Sequence, residues 1–179
     1  LSFEPTRSIS AGAGGSFLVA ILPYMDQRPL FDAFLGPGQA TVMAVTLNAY
    51  LCPSDPSSER EPYGRTNYAG NQGSGVQRYG YNGAFALRQA VGPKDFTDGM
   101  SSTAAVCEWL IGPAFGLARD PVRSVFTTSS RLVAPNQLEQ FATACRDLDP
   151  RTAQLAPSTV GWNWAGGDFG KSLYNHVEP

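Results

Sequence analysis

Few side chains in this sequence could do chemistry near neutral pH: a single histidine, His176, and three cysteines, Cys52, Cys107 and Cys145. One histidine excludes a His-rich metal centre, an H-E-x-x-H zinc site and most acid–base relays, each of which needs at least two positioned groups. The cysteines are widely spaced with no C-x-x-C pair, so a thiolate zinc site is not expected, and nothing beside any of them would activate a thiolate. Their odd number leaves either one disulfide with a free thiol, or three thiols acting as small core hydrophobes. Gly166-Gly167-Asp168-Phe169-Gly170-Lys171-Ser172 echoes a phosphate-binding loop, but Ala165 stands where its first glycine belongs. Only Leu173 to Pro179 follow, too few for the helix that holds the anion. No carboxylate pair has acid–base spacing, so the expectation is a non-catalytic protein with no cofactor.

Two binding chemistries have candidate residues. Asp95, Asp98, Asp147 and Asp149 come in close pairs on loops, and loop carboxylates with backbone carbonyls are what calcium takes. None completes a calcium-loop pattern, and Asp98-Gly99 and Asp149-Pro150 are also ordinary turn dipeptides. Trp162 and Trp164 alternate, so a strand there would turn both rings to one side with Asp168 as polar partner, a platform for surface glycan.

The charge balance restricts the partners. With 13 basic against 15 acidic residues, pI near 5.3 and no basic run, the chain lacks the footprint of a nucleic-acid binder. The longest apolar stretch, Phe17 to Leu22, stops at Pro23, far short of the roughly 20 residues that span a bilayer, so no transmembrane segment is expected. No charged n-region and apolar h-region follow Leu1, so no targeting segment is read here. With 179 residues, 42% of them apolar, the chain suits one domain.

The elements that must position these residues are short. Nineteen glycines and 14 prolines punctuate brief apolar runs, which favours a loop-rich α+β fold over a helical bundle. From Ser16 to Leu35 the apolar spacing is helical, but Pro23 and Pro29 divide it into two short helices, the second starting near Pro29. Thr46 to Cys52 reads as a strand closed by the turn Pro53-Ser54-Asp55-Pro56, and Asn67 to Phe85 as sheet and turns with Asn82-Gly83 at a hairpin. Ser102 to Leu110 reads as a buried, central strand. Gln137 to Leu148, preceded by Asn136, places Leu138, Phe141, Ala142, Cys145 and Leu148 on one helical face. Tyr174-Asn175-His176 reads as a polar turn.

Several segments, in order, resemble the prepilin-like proteins of a large domain-of-unknown-function family abundant in planctomycetes. Ile21-Leu22-Pro23-Tyr24-Met25-Asp26-Gln27, then Leu30-Phe31, is similar to that family's "LLPYLEQ" and "LY". Tyr50 to Pro56 is similar to "FLCPSDP", Thr66 to Asn71 supplies Thr-Asn-Tyr-Ala-Gly-Asn, and Phe96 to Thr103 is similar to "ITDGTSNT". Trp164 with Tyr174-Asn175-His176-Val177 and Pro179 is similar to "W…YNHVLPP". Cys107 departs from the pattern, standing where the family has glycine. The family's apolar N-terminal helix and H-x9-DG segment have no counterpart in this sequence.

The resemblance implies a type IV pilin-like head with a small antiparallel sheet, short helices and many Gly/Pro loops. Residues 1–16 would form an N-terminal extended segment and 17–179 a single globular domain. It further implies an extracytoplasmic location, in the periplasm or at the cell surface. Its function would be structural: docking other protein subunits in a cell-envelope assembly, or serving as accessory subunit of a membrane-anchored complex. On this basis Cys52 with Cys145 is the first choice for a disulfide. An interface is expected on Phe115, Leu117, Val122, Val125 and Phe126, apolar residues in a Pro/Gly-flanked stretch with neither helical nor strand periodicity.

Overall fold

Proline decides how the first apolar stretch folds in the computed structural model, which describes residues 15–56, 62–74, 83–85, 91–113, 119–129, 135–157, 160–167 and 170–176. Helix α1 (Phe17–Ile21) is capped by Ser16, whose Oγ accepts from the N–H groups of Leu18 at 3.1 Å and Val19 at 3.3 Å. At Pro23 the chain tightens into a 3₁₀ turn, Leu22–Met25, which closes at Asp26 with φ of 56°. Helix α2 (Arg28–Leu35) then carries Pro29 in its first turn, where a missing N–H leaves no intrahelical bond unmade. These are the two short helices expected from the sequence. Helix α3 (Gln39–Met43) follows the Gly36–Gly38 turn.

Leu18, Val19 and Leu22 meet Phe34 of α2 and Val42 of α3, and the group closes around Tyr50, Trp164 and Ala165. The Tyr50 and Trp164 rings lie 5.4 Å apart, tilted by 51°, a favourable aromatic geometry. Each polar tip is satisfied inside the core: Tyr50 Oη donates to the Leu18 carbonyl at 2.7 Å and Trp164 Nε1 to the Val45 carbonyl at 2.8 Å. Serving that core turns Thr46–Cys52 away from the expected strand. Asn48–Tyr50 is a 3₁₀ turn that delivers the Tyr50 ring inward while Asn48 and Ala49 stay exposed.

Among the described residues the sheet has three strands in the order β2-β1-β3, with β1 Tyr68–Ser74, β2 Val106–Glu108 and β3 Leu173–His176. The fold is α+β as expected, but the sheet is mixed rather than antiparallel. β2 runs antiparallel to β1, whereas β3 returns after a long crossover and pairs parallel to it. Two further expectations are corrected. The Ser102–Leu110 stretch supplies an edge strand rather than a central one, and Tyr174-Asn175-His176 belongs to β3 rather than to a turn.

The centre belongs to β1, with sequence Tyr-Ala-Gly-Asn-Gln-Gly-Ser. Its small residues are required by close packing: a Cβ on Gly70 would meet the Phe85 ring at 2.8 Å and Leu173 at 3.1 Å. Helix α4 (Leu138–Arg146) matches the helix read from the sequence, but its apolar residues Leu138, Phe141 and Ala142 are only half-buried and Cys145 is exposed. No described helix is long and apolar enough to cross a membrane.

Candidate interaction surface

One charged residue in the loop after Tyr50 does most to fix the surrounding surface. Asp55 is the third residue of Pro53-Ser54-Asp55-Pro56, and its N–H closes that turn on the Cys52 carbonyl at 3.0 Å. Its carboxylate is almost entirely out of water, with the side chain 2% exposed, and both oxygens are engaged. Oδ1 pairs with Arg123 Nη2 at 2.6 Å. Oδ2 accepts from Asn67 Nδ2 at 2.6 Å and from the Ile111 N–H at 3.1 Å. Asn67 extends the network, accepting from the Cys52 N–H at 2.9 Å and donating to the Trp109 carbonyl at 2.9 Å. A buried carboxylate requires such saturation, since each unmet lone pair inside a protein is costly.

Arg123 carries this network outward. Its Nη1 donates to the Ile111 carbonyl at 3.2 Å, and its Nε lies 3.6 Å from the Asp120 carboxylate. Asp120 builds the turn that holds Arg123: its Oδ1 accepts from the N–H groups of Val122 at 2.8 Å and Arg123 at 3.2 Å, and its own N–H donates to Ser124 Oγ at 2.9 Å. Beyond the turn, residues 125–127 pair with 154–156 through Thr127 N–H to the Gln154 carbonyl and Ala156 N–H to the Val125 carbonyl, both 2.8 Å. The Arg119 guanidinium covers the Phe126 ring at 5.7 Å from its centroid and donates to the Pro150 carbonyl at 2.8 Å.

Among the expected interface residues, Val122 is 75% exposed at the tip of this turn, while Val125 and Phe126 are half-buried beneath it. Phe115 and Leu117 lie outside the described residues. An apolar side chain so far into solvent gains from being covered. Its backbone is fixed by the Asp120 cap and by the inward Arg123 anchor, so little ordering entropy remains to be lost on contact. The arrangement suits recognition by contact. Asp55, Asn67 and Arg123 were not singled out from the sequence. The one available signal was that Asp55 and Asn67 fall inside two of the recurring segments.

The other candidates fall elsewhere. Trp164 is fully buried in the core and Trp162 lies in a turn, so the two rings do not form an exposed glycan platform; Asp168 lies outside the described residues. Asp95, Asp98, Asp147 and Asp149 are exposed. Asp95 Oδ2 accepts from the Gly92 N–H at 2.8 Å and Asp149 Oδ1 from the Arg151 N–H at 2.9 Å, both as local turn bonds. Among the described residues no three His, Cys, Asp or Glu side chains gather as a metal site. Cys52, Cys107 and Cys145 are free thiols, so the Cys52–Cys145 pairing is not formed. Cys107 lies within reach of Tyr174 across β1; burial pushes its thiol up, and a hydrogen bond from Tyr174 opposes that shift.

The family described as "Protein of unknown function (DUF1559)" matches residues 2–172. No curated protein and no solved structure matches the chain.

Proposed function

We propose, from the premise that this chain belongs to the DUF1559 family of proteins of unknown function, that it is a non-catalytic, pilin-like head domain. It docks other protein subunits in an extracytoplasmic envelope assembly, or serves as accessory subunit of a membrane-anchored complex. The observation that carries this reading is Val122: an apolar side chain 75% exposed on a turn tied to a buried ion pair. The small number of acid–base groups in the sequence and the turn roles of Asp95 and Asp149 agree with a binding role rather than a catalytic one.

The test is purification from the native envelope of the wild-type chain and of Val122→Asp, with identification of co-purifying proteins. The expected result is a defined set of envelope proteins with the wild type that is lost with V122D at unchanged melting temperature. A wild-type protein recovered free and monomeric, or a set unaffected by V122D, would overturn the proposal.

A further inference from the structure

The outer edge of the sheet has a geometry that specifies its own occupant. In the β1–β2 ladder Ala69 faces Cys107, flanked by the bonds from Asn71 N–H to the Ala105 carbonyl and from Trp109 N–H to the Asn67 carbonyl, at 2.9 and 2.8 Å. Antiparallel pairing alternates, so Ala105, Cys107 and Trp109 direct their backbone groups to β1. Val106 and Glu108 direct theirs away from it. Among the described residues nothing pairs with those outward groups. The edge also carries exposed apolar side chains: Val106 is 44% exposed and Leu110, two residues beyond β2, 40%. β2 is short, with one charge, Glu108, but it has no proline and no bulge to block pairing.

We infer that this edge is a contact between two copies of the chain, paired antiparallel through β2 about a two-fold axis at Cys107. This register is self-complementary. Val106 of each copy meets Glu108 of the other, and the outward N–H and C=O groups of both residues are satisfied in both copies. The two three-stranded sheets become one of six strands. Glu108 lays its methylenes against the opposing Val106 and keeps its carboxylate in water. Cys107 faces its own counterpart as a non-hydrogen-bonded pair, with Cα atoms about 4.5 Å apart, inside the range of about 4.4–6.8 Å that a disulfide spans.

The size of the contact says where it operates. Three residues a side bury far less than the roughly 1,200 Å² of a stable interface. Free heads therefore associate weakly, and the contact forms where neighbouring copies are held at high local concentration. It rests on residues other than Val122, so either can fail without the other.

Single-thiol proteins test it. Cys52→Ser/Cys145→Ser leaves Cys107 alone, and Cys52→Ser/Cys107→Ser leaves the more exposed Cys145 as a collisional control. Each is incubated at high concentration with diamide, which takes up the two electrons and two protons released as two thiols become one disulfide. Covalent dimer is followed on non-reducing gels. Accessibility alone makes Cys145 the faster; the paired edge makes Cys107 faster by at least about tenfold. Adding Val106→Pro removes an outward N–H and none of the β1 ladder, and is expected to return Cys107 to the control rate, whereas Val122→Asp leaves it unchanged. Should V106P lose its far-UV circular dichroism, Val106→Lys on the same edge decides. A Cys107 rate no greater than that of Cys145, or one unaltered by the folded edge variant, would overturn the inference.

Discussion

Replacing Arg123 by Met removes the guanidinium that neutralises Asp55 while keeping most of its apolar stem. The Asp55 side chain is 2% exposed, so its carboxylate keeps its bonds from Asn67 Nδ2 and the Ile111 N–H but loses the guanidinium charge that balanced it in a dry site. Breaking a buried pair from one side costs about 3–5 kcal/mol, and the surviving hydrogen bonds place this case near the lower end. For 179 residues the unfolding entropy is about 0.38 kcal/mol/K, so about 3 kcal/mol lowers Tm by about 8 °C. The companion variant Asp55→Asn/Arg123→Met removes both charges and is expected to be more stable than R123M alone by about 1–2 kcal/mol. Arg28→Met breaks an ion pair of similar geometry, 3.0 Å, between side chains 68% and 58% exposed, and is expected to cost under about 0.5 kcal/mol. Urea denaturation of the four proteins at pH 7 measures all three differences. If R123M costs no more than R28M, or if the double variant is no more stable than R123M, the Asp55–Arg123 pair is not the anchor of this surface.

Two further outcomes follow from the core. Burial pushes the Tyr50 phenol up to about 12, so the folded protein keeps this proton at pH values where the unfolded chain, at about 10, releases it. Its contribution is complete below pH 10 and falls by up to about 2.7 kcal/mol between pH 10 and 12; denaturation of wild type and Tyr50→Phe across that window should show the extra loss only in the wild type. Gly64 has no room for a side chain, since its Cβ would lie 2.0 Å from the Val45 carbonyl oxygen and 2.6 Å from Trp164 Nε1. Gly64→Ala is therefore expected to cost about 2–3 kcal/mol and to alter the near-UV signal of Trp164.

The parts legible in the sequence are those governed by neighbours a few residues apart. Pro23 and Pro29 announced the break between α1 and α2 because proline acts on its own turn, and α4 announced itself by helical spacing. Strand order was not legible. The central strand is built from Ala, Gly, Asn and Gln, and an apolar run at 102–110 looked the better candidate for burial. What reserves the centre for β1 is the approach of Phe85 and Leu173 to Gly70, which no local pattern encodes. The Asp55 network was hidden for the same reason: its partners come from segments far apart in the chain, and a carboxylate between two prolines has the appearance of turn chemistry. Trp164 illustrates the converse. Its alternation with Trp162 suggested a strand face, but the segment is a turn and each ring has its own surroundings.

The cap of α1 has a consequence for how the chain reaches this state. Ser16 Oγ, besides receiving the first N–H groups of the helix, donates to the Trp164 carbonyl 148 residues further on, and the Ser16 N–H bonds to the Ala165 carbonyl. A five-residue helix has no stability of its own, and the indole that roofs it comes from the same distant turn. During synthesis α1 is thus completed only after residues 164 and 165 have emerged and found it. Until then the apolar faces of α1 and α2 stand open, and loop closure of that span is slow.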